Sequence, residues 1–264
     1  MNFDPYPVNS YVSIRHNFER QSSGQELDLF GINVIRSSFE SQTKFIRIVC
    51  LISFSQLLCT TCLTLMFLHF GYWYETSKCM ILIMLIPATL LLIILAWQLW
   101  TQHHQISVTS RAILLFIYSF LMVFVLANFV ASFFQEHGVM VLTLSCFGVL
   151  SNIVYTCQSK FHFQGPKPIV CSIATVCVIS VGLRRMYQLD PVQILGPVTF
   201  SSLVSVYLIL ELYYAMKTMT GSDYILANLS LYTDLAYPIH GLHHVCELWD
   251  DIDNFPEYFN PDIN

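Results

Sequence analysis

QILGPVTFSSLVSVYLILELYYAM, residues 193–216, is an apolar run long enough to cross the roughly 30 Å of bilayer hydrocarbon as a helix, and it carries one carboxylate, Glu211, well inside it. Runs of the same kind precede it at 46–70, 79–100, 112–134, 138–158 and 168–187, the last cut short by Arg184 and Arg185. Composition agrees with this reading. Of 264 residues, 55% are hydrophobic and only 11% charged, with a mean hydropathy of +0.58, which a soluble globular domain of this size does not reach. Lipid is therefore the solvent for most of the chain. Helical spans and short loops use up so much of the length that no soluble catalytic domain fits in the remainder, and an enzyme is not expected. No basic stripe with interleaved aromatics is present, so a nucleic-acid partner is not expected either.

A seventh segment, YILANLSLYTDLAYPIHGLHHVCELW from Tyr224 to Trp249, differs in kind, because it mixes aliphatic residues with Asn228, Asp234, Pro238, three histidines and Glu247. Polar groups at membrane depth need other helices or water around them, which places this segment at the centre of the bundle or makes it re-entrant. Pro238 and Gly241 predict a kink or break. The expected fold is an all-α membrane bundle of about seven helices with a polar central C-terminal helix. Residues 1–44 read as a flexible cytosolic tail, 45–249 as the membrane domain and 250–264 as an acidic tail. Basic residues orient it. Arg15, Arg20, Arg36, Lys44, Arg47, Arg111, Lys160, Lys167 and Lys217 fall on one side and only Lys78, Arg184 and Arg185 on the other, which favours a cytosolic amino terminus.

Glu211 and Asp234 are the two carboxylates set well inside the apolar runs, and an ionisable group at that depth points to function. In an antiparallel hairpin turning at 217–223, Glu211 lies about 9 Å and Asp234 about 16 Å from the turn by helix rise. Side chains lean toward the amino end of their own helix, which moves the two carboxylates toward each other. A pair brought together in low dielectric should share a proton and titrate above ordinary carboxylate values. Ionised, it is also an oxygen site suited to Ca²⁺. The competing reading has each acid hydrogen-bonding its own neighbouring helix.

HGLHHVCE, residues 240–247, sets His240 and His244 four apart on one helix face, a ligand-like spacing for zinc, so an intramembrane zinc hydrolase is a rival reading. Cys59 and Cys62 in CTTC have redox spacing but sit in an apolar run, where packing is the expected role. The NLS sequon at Asn228 falls inside a membrane helix and is expected to be unmodified.

Around the two acids the chain resembles the Bax-inhibitor family, the proteins with a transmembrane BAX-inhibitor motif, and within it the Lifeguard and Golgi anti-apoptotic branches. SDYILANLSLYTDLAYP, Ser222 to Pro238, looks like that family's last-helix signature. FIRIVCLISFSQLLCTT, Phe45 to Thr61, is similar to its first span, and CQSKFHF, Cys157 to Phe163, to the end of its fourth. The family's two membrane aspartates match Glu211 and Asp234, with glutamate standing at the first. Tyr213 and Asn228 are the supporting groups beside them. Span two carries no arginine of the kind that latches against this acid in some bacterial relatives, and Gln98 is its nearest polar candidate. The resemblance implies a pH-sensitive calcium leak of the endoplasmic reticulum or Golgi membrane that modulates calcium stores and protects from apoptosis. Ca²⁺ would be the transported ion, with no cofactor. Membrane lipid and death-pathway or calcium-release proteins would be the partners, and a non-conducting scaffold acting on such proteins is the alternative.

Overall fold

The computed structural model describes residues 33–70, 85–99, 106–158, 161–163 and 165–236, with side chains of the last helix described as far as Tyr232. The fold is all-helical across these residues, with α1 Phe39–His69, α2 Leu85–Leu99, α3 Val108–Phe133, α4 Gln135–Tyr155, α5 Lys167–Tyr187, α6 Pro191–Thr218 and α7 Tyr224–Ala236. Five of these helices, α1, α3, α4, α5 and α6, are long and apolar enough to cross a membrane. Large apolar side chains cover the outside, among them Phe116, Phe120, Phe133, Val178 and Val192, each more than half exposed. Water would penalise such a surface, and lipid does not. The chain is a multi-pass membrane protein.

α1 is built inside out relative to a soluble helix. Its buried face carries Ser53, Gln56, Thr60, Thr61 and Thr64, while Leu51, Leu58, Leu65 and Met66 face outward. The threonine hydroxyls bond back to carbonyls one turn earlier, at 2.8, 2.8 and 2.7 Å for Thr60, Thr61 and Thr64, so they need nothing from the surroundings. This helix packs on α3, α4 and α7 and forms the axis of the bundle. It runs antiparallel to α4. Near one end Arg47 donates from Nη2 to the Thr156 carbonyl at 2.7 Å, and farther along Thr61 lies 3.8 Å from the Cys146 sulfur.

Between α3 and α4 the sequence suggests a short loop at 135–137, but only Phe134 separates the two helices. Gln135 takes a left-handed φ of 46°, and Gly138 makes the reversal possible. A Cβ there would stand 2.4 Å from Val130 Cγ1 and 2.7 Å from Phe134 Cβ, closer than atoms approach.

The chain also joins the bundle earlier than hydropathy suggests. Residues 33–44, assigned above to a flexible tail, belong to the fold. Asn33 forms an antiparallel bridge with Thr220, the Val34 amide donates to the Met219 carbonyl at 3.0 Å, and Val34 is buried in the main core with Leu212, Ala215 and Met216. A turn of 3₁₀ helix, Val34–Arg36, leads into α1, and Gln42 fastens it by donating to the carbonyls of Ile35 and Ser37 at 2.8 and 3.1 Å. A single buried valine in a polar stretch leaves no hydropathy signal, which is why composition misplaces this boundary. Residues 1–32 and 237–264, including the expected kink at Pro238 and Gly241 and the acidic tail, lie outside the described residues.

Candidate ion-gating site

α6 and α7 form the antiparallel hairpin that the sequence predicts, turning at Met219 to Asp223. Asp223 makes the turn. Its Oδ2 accepts from the Thr220 amide at 3.2 Å and from the Thr220 hydroxyl at 2.7 Å, while its carbonyl accepts from the Ala227 amide at 3.0 Å and opens α7. Deeper in the bundle the Tyr207 hydroxyl donates to the Leu231 carbonyl at 3.0 Å and fixes the register of the two helices.

Glu211 follows Tyr207 by one turn, on the same stripe of α6, and is only 2% exposed. By helix rise it stands about 10 Å from the end of α6 at Thr218. The backbone of Asp234 lies on α7 about 15 Å from Tyr224 and three residues beyond the Leu231 mark. Its side chain lies outside the described residues, and so does the expected meeting of the two carboxylates.

The supporting residues separate. Tyr213 lies two positions from Glu211 and so points away from it. Its hydroxyl donates to the Gly165 carbonyl, and its ring meets Phe163 edge-on at 5.7 Å, tying α6 to the loop before α5. Gln98 is exposed on α2, whose inward residues Leu95, Ala96 and Leu99 pack with Tyr118 of α3 and with Ile225 and Leu229 of α7. Asn228, in contrast, is fully buried at the centre of the molecule.

Asn228 belongs to a polar cluster that sequence reading misses. Gln56 Nε2 donates to Asn228 Oδ1 at 3.0 Å, and Asn228 Nδ2 donates back to Gln56 Oε1 at 3.1 Å, forming a reciprocal amide pair between α1 and α7. Ser53 accepts a further bond from Asn228 Nδ2 at 3.0 Å, and Ser119 of α3 accepts one from Gln56 Nε2 at 2.7 Å. Three helices are thereby joined at one level. Inside lipid such a network has no water to compete with it, and a half-satisfied one would be costly. Since Asn228 is enclosed and bonded, it is not presented as a glycan acceptor in the folded protein. A neutral glutamine in an apolar run draws no notice until its partner across the bundle is known. The signal available was the stripe Ser53, Gln56, Thr60, Thr64 at helical spacing.

The zinc candidates His240 and His244 lie outside the described residues. Among the described residues no group of three or more His, Cys, Asp or Glu side chains is placed to hold a metal ion. The thiols of Cys59 and Cys62 are free and exposed on the outer face of α1. Comparison with models of known families, with curated proteins and with solved structures finds no match to this chain.

Proposed function

We propose that the protein is a pH-sensitive cation leak that passes Ca²⁺ down its gradient across an internal membrane, with Glu211 and Asp234 as the gate. The observation that carries this reading is the burial of Glu211, at 2% exposure, on the wall of a helix hairpin whose other arm carries Asp234. A carboxylate in that setting is stable in its neutral form or beside a cation, and it responds to pH where a purely structural group would not. Protonation leaves the hairpin neutral, and deprotonation leaves two hard oxygen ligands for a divalent ion.

In this reading α2 and α7 complete a bundle of seven spans with the amino terminus in the cytosol, and the membrane is that of the endoplasmic reticulum or Golgi. A leak there lowers the calcium store, which is the route by which such a protein would protect a cell from apoptosis. The sequence likeness of Ser222 to Pro238 to the Bax-inhibitor family's last helix supports the same reading.

The test is Ca²⁺ flux into liposomes that hold only this protein, measured across pH. Wild type is expected to pass Ca²⁺ in a pH-dependent way, and Glu211→Gln and Asp234→Asn each to abolish that dependence. Unchanged pH profiles in two folded variants would remove the gate. No flux at any pH would replace the leak with a non-conducting scaffold acting on calcium-release or death-pathway proteins.

A further inference from the structure

Asn152 is 1% exposed on α4, and neither its Oδ1 nor its Nδ2 has a hydrogen-bond partner among the described residues. A buried amide with both ends unmet is uncommon. Each unmet atom costs on the order of 1–3 kcal/mol unless a water or an ion completes it.

Its location gives the amide a use. α4 and α6 run parallel, and two contacts set their register. Ser145 Oγ donates to Ser201 Oγ at 3.3 Å, and a Cβ on Gly148 would stand 2.3 Å from Ser205 Oγ. Asn152 follows Gly148 by four residues and so shares the face turned to α6. Continuing the register places it opposite Leu208 and Ile209, two to three residues before Glu211, or roughly 3–4.5 Å along the axis. On parallel helices both side chains lean the same way, toward the amino ends, so the gap stays at about that size and only the extra methylene of Glu211 shortens it, which leaves room for an ion between the two groups. Both side chains are buried, and their neighbours along the two helices, Val149, Leu208, Ile209 and Leu212, belong to one core. The nearest described basic group on α1, Arg47, is exposed and engaged with Thr156 one turn beyond Asn152.

We propose that Asn152 Oδ1 and the Glu211 carboxylate form the α4–α6 half of a binding site for a hard divalent cation. An amide oxygen and a carboxylate are the ligand types such ions select, and the Asn152 Nδ2 is left to donate to a water in the ion's shell. The site rests on the role assigned above to Glu211, and it adds a neutral ligand from a helix that the acid pair does not include.

The experiment measures Ca²⁺ binding by the full-length protein in detergent micelles, with radioactive Ca²⁺ at equilibrium and Tb³⁺ luminescence as the second probe, alongside thermal unfolding. Asn152→Leu keeps the branched outline, with two methyl groups where the amide oxygen and nitrogen stand, and removes the oxygen. It is expected to weaken Ca²⁺ binding tenfold or more while raising the unfolding temperature of the ion-free protein, because an unmet buried amide is gone. Asn152→Asp retains an oxygen and is expected to keep the binding. Asn152→Ser serves as the milder variant should leucine prevent folding, with an intermediate loss expected. Unchanged affinity in the leucine or serine variant overturns the site, as does the absence of Ca²⁺ binding in wild type. A leucine variant that is destabilised without ion and unaltered in affinity would assign Asn152 a water-bridged structural role instead. If Ca²⁺ binds with the expected dependence but liposomes pass none, the leak fails and the site stands. If pH-gated flux persists and Asn152→Leu changes neither affinity nor half-saturating Ca²⁺, the site fails and the leak stands.

Discussion

Replacing Asn228 with leucine removes three hydrogen bonds at once, two exchanged with Gln56 and one donated to Ser53. Interhelical hydrogen bonds within membranes average roughly 0.6 kcal/mol each, so the bonds alone come to about 2 kcal/mol. Gln56 keeps its bond to Ser119 through Nε2, but its Oε1 loses its donor in a buried site, which adds about 1 kcal/mol. Asn228→Leu should therefore destabilise the protein by about 2–3 kcal/mol. Gln56→Leu should cost a similar amount, because it strips the same pair from the other side. The double variant leaves neither amide stranded. It should cost little more than either single change, giving a coupling of about 2 kcal/mol in a double-mutant cycle. Reversible unfolding in mixed lipid–detergent micelles with increasing denaturing detergent gives the four stabilities. Single effects below about 0.5 kcal/mol, or a double variant equal to the sum of the singles within about 0.5 kcal/mol, would refute the claim that the amide pair is a coupled clasp.

Gly148→Ala places a methyl against the Ser205 hydroxyl and breaks its bond to the Ser201 carbonyl, for an expected loss of about 1–2 kcal/mol. Adding Ser205→Ala should recover part of the lost unfolding temperature, since it removes the 2.3 Å clash and leaves the new Cβ 3.4 Å from the residue 205 Cβ and a tight 3.3 Å from the Ser172 hydroxyl. An equal loss in both backgrounds would remove close approach as the cause. Val34→Asp puts a carboxylate into the core beneath the α6–α7 turn and should cost about 1.5–3 kcal/mol of burial locally. Hydrogen exchange at the Asp223 and Ala227 amides should then accelerate about tenfold or more, and unaltered exchange would show that the amino-terminal segment does not brace the turn.

Hydropathy finds the long helices because lipid imposes it. The outward faces of α3 and α5 must be apolar along their whole length, and that is legible one residue at a time. What it misses is set by pairs. Gln56, Ser119 and Asn152 are neutral polar residues whose importance lies in a neighbour, or the lack of one, on another helix, and nothing in their own segments records it. Val34 is missed for a different reason. It belongs to the core through the backbone of Met219, not through an apolar run of its own. Glu211 is legible because a charge in hydrocarbon is costly wherever it points. The direction of Tyr213 was also readable, since two positions along a helix turn a side chain to the far face.

The amide clasp joins residues 172 positions apart. At about 5–20 residues per second, a ribosome needs roughly 9–34 s to travel from one to the other. During that interval α1 is already made, and Gln56 waits in the bilayer for a partner that has not been synthesised. The first helix must therefore be sheltered by α3, by the insertion machinery or by a shallower position until α7 arrives. Arrival of α7 closes the clasp, and a chain stalled before Asn228 would present quality control with a Gln56 amide that lacks its partner on α7.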